Sequence, residues 1–304
     1  MSHVDHFSYG LVTPIAAYIV STIGCMLGLA LTAKARAATG PARARWLVGG
    51  ALSIGGTGIW VMHFVAMMGF TVGGNPIRYD VLLTSVSMLL AVVIVGGGLF
   101  LVSSKNYSAS RLVVSGMVTG VGVAGMHYLG VSAMNMSATV YYDVTLIALS
   151  VVIAMVASTV ALWFSVKTDG TLATAGAALI MGVAVCGMHY VGMFAMEVRP
   201  RISLTPVDGA RGIDFMLPVL GAVSLLTLGL LLAVILAPSE QEMRTDAELL
   251  AQLENRRTTA RHAATAAAAS APAAQNTGQN TVRNAGQNAP AEQRRPSLFD
   301  AQDR

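Results

Sequence analysis

Charge is what this 304-residue chain has least of: Asp, Glu, Lys and Arg make up 11% of it, hydrophobic residues 54%, and the mean hydropathy is +0.63. Soluble domains carry about 25% charged residues, so the lipid bilayer is the expected solvent. Cysteine is scarce too, with only Cys25 and Cys186, each inside an apolar stretch. The expected orientation puts them in opposite halves of the membrane, so no structural disulfide is expected. The first apolar segment has no basic residue ahead of it and is too long for the core of a cleaved leader, so it is expected to remain as a spanning helix.

The charge that exists is unevenly placed. Sixteen of the 34 charged side chains lie in the last 67 residues, from Pro238 onward. Seven stretches contain none: about 11–33, 46–70, 81–102, 112–134, 144–166, 172–196 and 215–237. Each is long enough to cross a hydrocarbon core of about 30 Å as a helix. Buried helices of a large soluble protein would need polar partner surfaces, and the connecting segments are too short to supply them. The expected fold is therefore all-α, a polytopic bundle of seven transmembrane helices built from a repeated helix pair. Its parts are residues 1–10 as an outer N-terminus, 11–200 as the repeated membrane domain, 201–237 as a loop and seventh helix, and 238–304 as a tail.

Basic residues in loops set the orientation. Lys34, Arg36, Arg43 and Arg45 follow the first span, Lys105 and Arg111 the third and Lys167 the fifth, whereas the N-terminal segment has no Lys or Arg. Arg199, Arg201 and Arg211 before the seventh span oppose that pattern. The balance predicts an outer N-terminus and a cytoplasmic C-terminus in a bacterial cytoplasmic membrane.

Laid over one another, the even-numbered spans read GTGIWVMHFVAMMGF (56–70), GVGVAGMHYLGVSAM (120–134) and GVAVCGMHYVGMFAM (182–196). A Gly stands seven residues before each His (Gly56, Gly120, Gly182), and Tyr-Asp-Val follows the first two copies at Tyr79–Val81 and Tyr142–Val144. This is an internal repeat of one helical hairpin. Eight residues after each His comes a polar residue, Thr71, Asn135 or Glu197. His63, His127 and His189 thus share one depth, roughly 10–12 Å below the outer helix end. No other Asp, Glu, Lys, Arg or His lies within a span, and ionisable groups in hydrocarbon face the bundle interior and serve a function.

Methionines crowd the same level. Helical spacing puts Met67 on the face of His63, Met134 on that of His127, and Met193 and Met196 on that of His189, while Met62, Met126 and Met188 point about 100° away. Thioether and imidazole together suit copper, Cu(I) above all, and not magnesium or calcium, which take carboxylate oxygens. Met117, Met155 and Met181 read as apolar filler. Cys186, three residues before His189, reads as a packing residue or a further ligand. The glycines permit close helix approach. Asp80, Asp143 and Asp214 read as helix caps, and Pro14 and Pro218 as helix starts or kinks. His3 and His6 would lie outside, where terminal residues are often idle.

These motifs, GMHYVGMFAM (187–196) most fully, resemble the MHYT domain, a bacterial membrane sensor module of repeated helix pairs. The resemblance covers about residues 11–200. It implies sensing of O2, CO or NO through a metal, with copper the expected cofactor, held by Met62, His63, Met67, Met126, His127, Met188, His189, Met193 and Met196. Phe64 and Ala66 replace the motif's Tyr and Gly in the first copy, and Val131 replaces a Met in the second, so an asymmetric site is expected. Many relatives continue into an output domain; 67 residues are too few for one, so the signal is expected to leave through an unknown cytoplasmic partner. A copper-handling protein or transporter and a haem-binding electron carrier are the alternatives. All candidate ligands share one depth, which suits binding better than a pathway. Catalysis is not expected, because no span holds an acid or base beyond the histidines. Nucleic acid is not expected as a partner. The tail from Ser239 to about Ala269 could continue as a helix with Leu249, Leu250 and Leu253 on one side, and disorder is expected beyond Ser270.

Overall fold

The structure is a computed structural model that describes residues 4–73, 76–103, 108–200, 207–237 and 240–270. Lys105, Arg201, His3 and the segment beyond Ser270 lie outside the described residues. Seven helices are long and apolar enough to cross a membrane: α1 Val12–Ala37, α2 Gly40–Met67, α3 Val81–Val102, α4 Ala109–Ser132, α5 Val144–Lys167, α6 Thr171–Phe194 and α7 Gly212–Leu236. An all-α polytopic bundle is therefore the fold. Residues up to Glu240 form one compact unit, and from Gln241 a second begins. In the second, α8 (Glu240–Ser270) carries Leu249, Leu250 and Leu253 all exposed. It is not a continuation of α7, which ends at Leu236 with Ala237 in an extended conformation.

The first six spans close into a ring in which each packs on its chain neighbours and α6 packs on α1. The even-numbered spans, which carry the repeats, thus alternate with the odd ones. Helix α7 stands outside the ring against α1 and α2, where Thr57 and Thr227 share a hydrogen bond of 3.1 Å. Asp80 and Asp143 cap their helices as the sequence suggests: Asp80 Oδ1 accepts from Leu83 N at 2.9 Å, and Asp143 Oδ1 from Thr145 N at 2.7 Å. Asp214 does not cap. It stands in the first turn of α7 and pairs with Arg211 at 2.7 Å, because the helix starts earlier, at Gly212. Pro14 lies in the first turn of α1 and Pro218 inside α7.

Two features of the fold carry no mark in the sequence. The middle of α2, Leu52–Val61, is wound as a π-helix. There the wider turn shifts the close approach by one residue: a Cβ on Gly55 would come 2.8 Å from the Ala91 carbonyl oxygen, whereas one on Gly56 would meet nothing nearer than 3.9 Å. Gly120 and Gly182, in regular helices, do pack tightly, against the Met155 backbone and against Thr22 and Tyr18. The repeat's glycine role thus holds in two copies and moves to Gly55 in the first. The second feature is a set of short antiparallel strands, all at one end of the bundle: β1 (Val4–Asp5) with β2 (Thr71–Val72), β3 (Arg78–Tyr79) between β4 (Met134–Asn135) and β7 (Ala210–Arg211), and β5 (Ala138–Tyr142) with β6 (Met196–Pro200). Thr71, Asn135 and Glu197 all fall in these strands, which confirms that the three repeats end at one level.

Candidate metal centre

Because α2, α4 and α6 alternate around the ring, their matching histidines face a common axis. His63, His127 and His189 are each 1% exposed or less. Their rings are 4.9, 4.9 and 5.1 Å apart, centroid to centroid, at interplanar angles of 78–89°. The Nδ1 atoms point inward: His63 Nδ1 is 3.0 Å from His189 Nδ1 and 3.2 Å from His127 Nδ1. The Nε2 atoms point outward, buried and without a partner.

The outward edges rest on glycine. A Cβ on Gly130 would come 2.5 Å from His63 Nε2, and one on Gly192 would collide with His127 Nε2. Both glycines stand three residues after their own His and receive the ring of the preceding repeat. The equivalent residue of the first copy is Ala66, itself buried. The Gly/Ala difference visible in the sequence thus has a packing use, signalled by the constant three-residue offset from each His.

A neutral imidazole has one N–H and one lone pair. No choice of tautomers satisfies all six ring nitrogens here, since three Nδ1 atoms face one another and three Nε2 atoms have no partner. A cation between three Nδ1 lone pairs resolves the inner half of this conflict. At an ion-to-nitrogen distance of about 2.0 Å the edge of a tetrahedral site is about 3.3 Å, close to the separations found. The trio is the cluster of metal-ligating side chains found among the described residues, with its ligand atoms within 4.8 Å of one another.

The methionines are placed as follows. Met62, Met67, Met126, Met134, Met188, Met193 and Met196 are all buried. Met134 and Met196 lie beyond the helix ends, in β4 and β6, paired in register with Tyr79 and Tyr142, so helical spacing does not orient them as the sequence suggested. Met62 packs with Ala17, Ala66 and Cys186 in a cluster of its own. Cys25 and Cys186 are buried free thiols.

The N-terminal segment closes the strand end. Its strand β1 pairs with β2, and the His6 ring packs at a tilt against Phe70 and edge-on against Phe194, with centroids at 5.3 and 4.9 Å. Burial there lowers the His6 pKa from its ordinary value, against the opposing pull of Asp5.

The sequence profile described as "Bacterial signalling protein N terminal repeat", MHYT, matches residues 56–115, 120–178 and 182–245. Each match begins at or beside the Gly seven residues before a histidine. The chain is similar to the bifunctional diguanylate cyclase/cyclic di-GMP phosphodiesterase MucR of Pseudomonas aeruginosa, 36% identical over 245 residues, covering 78% of this chain and 35% of that protein. It is also similar to an uncharacterized signaling protein of Caulobacter vibrioides (30%, covering 79% of this chain and 29% of that one) and to the signaling protein YkoW of Bacillus subtilis (31%, 62% and 24%). The chain thus spans between about a quarter and just over a third of the length of these relatives. No solved structure matches.

Proposed function

We propose, since the chain belongs to the MHYT family of bacterial membrane signalling repeats, that it is a sensor whose histidine trio holds a single copper ion and responds to a small diatomic molecule or to copper itself. The observation that supports the metal is the convergence of three Nδ1 atoms at 3.0 and 3.2 Å on one axis. Buried thioethers at the same level favour a soft ion, Cu(I) in particular. Haem is disfavoured, because its axial ligands stand on opposite faces of a macrocycle and these three imidazoles touch. Bound there, copper would supply a soft, redox-active Lewis acid.

The residues of the chain then do the rest. His63, His127 and His189 tie three repeats together, so that loading the site couples α2, α4 and α6. His63 stands two residues after the end of the π-wound segment, and such segments occur frequently at functional sites. Within that segment Thr57 bonds Thr227 of α7, the span that leads toward the C-terminal unit. This contact carries the state of the site to α7. The name of the Pseudomonas aeruginosa relative places cyclic di-GMP turnover in a protein more than twice as long, and this chain corresponds to its membrane input region.

Two experiments test the reading. Purified protein in nanodiscs should bind about one copper per chain, and His63→Ala, His127→Ala and His189→Ala should each abolish it; copper retained in all three variants would overturn the assignment. A spin label at exposed Leu236 should report a metal-dependent change that Thr57→Val removes without loss of copper. An unchanged response in that variant would remove the proposed route and leave the metal site standing.

A further inference from the structure

Beneath the trio lies an apolar chamber of about 40 Å³. Its wall includes Ile59, Val123 and Val185, and each of these stands four residues before a histidine of the trio. The chamber therefore sits on the same axis, one helical turn or about 6 Å away, on the side opposite the strands. Met188, the neighbour of His189, also lines it.

The chamber adjoins a second space on one side. Ala157, Met181 and Ala184 line both it and a second, outer groove of about 360 Å³ between α5 and α6. The outer groove is walled by aliphatic side chains such as Val156, Val160 and Ile180, which are 60%, 36% and 56% exposed on the face of the two spans. That face meets hydrocarbon. Alanines keep the gap open where α5 and α6 would otherwise interlock larger side chains.

Physical chemistry narrows what can use such a passage. No charged residue lines either space, and apolar cavities stay dry while accepting apolar guests such as xenon. An ion or a polar solute would lose its hydration without replacement. A cavity of about 40 Å³ holds roughly three water-sized probe spheres, enough for two heavy atoms and too little for an acyl chain or a ring. Small uncharged gases also concentrate in hydrocarbon, which the outer groove faces.

We propose that the chamber is a binding site for a small uncharged diatomic molecule, taken up from the bilayer core through the gap between α5 and α6 and delivered to the histidine trio from below. The delivery step rests on the metal-site reading above; the binding step does not.

The test uses xenon on metal-free full-length protein in nanodiscs, read by 129Xe exchange NMR, together with Ala157→Phe and the milder Ala157→Val. The wild type should show one saturable xenon site, weakened at least tenfold by Ala157→Phe and partially by Ala157→Val, with thermal melting checked for both. Absence of a saturable site in the wild type, or equal binding in the valine variant and wild type, overturns the proposal. In copper-loaded protein, the association rate of CO should fall about tenfold in Ala157→Phe with copper content unchanged; an unaltered rate refutes delivery by this route. Xenon binding without copper binding would overturn the metal reading alone.

Discussion

Gly130 and Gly192 give the sharpest handle on the trio. Their Cα atoms sit against the outward edges of His63 and His127, so a single added methyl group pushes the ring toward the axis. A Cβ at Gly130 would lie 2.5 Å from His63 Nε2, whereas an unstrained contact is about 3.5 Å or more. The ring or the helix must therefore yield by about 1 Å. Ligand constellations tolerate about 0.5 Å, and disturbing the support of a metal-bound histidine costs about 10–100-fold in affinity. Gly130→Ala and Gly192→Ala should each weaken Cu(I) binding by at least tenfold in a chelator competition titration, and overpacking should cost about 1–3 kcal/mol of stability. Gly125→Ala and Gly187→Ala, where a Cβ meets nothing within 4 Å, are the controls and should bind as the wild type does. Wild-type affinity in Gly130→Ala would mean that the packing of His63 does not set the site.

Three further outcomes follow from the structure. Trp60 Nε1 donates to Ser87 Oγ at 2.9 Å in the buried core, so Ser87→Ala should orphan the indole N–H and cost about 1–3 kcal/mol, seen as a lower melting temperature. Asp80→Ala and Asp143→Ala should each cost about 1 kcal/mol through loss of a cap, with Asn substitutions recovering most of it in the same melt. The docked N-terminal segment should loosen in acid. The undocked His6 takes up a proton near its ordinary value of 6.5, the docked one only at lower pH, so docking is fully favourable above about 6.5 and weakens as pH falls below it. The protection of the amides of residues 4–8, taken relative to the intrinsic exchange rate at each pH, should fall between pH 7.5 and 5, and His6→Phe should remove that loss.

The spans were legible because absence of charge is a local property that lipid enforces: the stretches 81–102 and 144–166 match α3 and α5 almost to the residue. The common level of His63, His127 and His189 was legible because the repeat transfers one depth to three helices. The π-wound segment was not, since nothing in Leu52–Val61 marks it. It arises where Gly24 meets Gly58 and Gly55 meets Ala91 across neighbouring helices, contacts remote in sequence. The strands were equally hidden, being mostly two residues long and held by partners such as Val4 and Val72 that only the closed ring brings together. They also removed Met134 and Met196 from the helical faces assigned to them. The choice of Nδ1 over Nε2 at the centre depends on side-chain rotamers, which spacing does not encode, and the placement of α7 outside the ring depends on α1 having filled the position beside α6.

Three histidines holding one metal ion through their inward nitrogens give a distinctive copper K-edge absorption in the Cu(I)-loaded protein. The expected first shell contains about three nitrogen scatterers near 2.0 Å with imidazole multiple scattering, lost in the variant carrying His63→Ala, His127→Ala and His189→Ala together. A shell made only of sulfur or of non-imidazole oxygen, or one unchanged in that variant, would contradict this coordination.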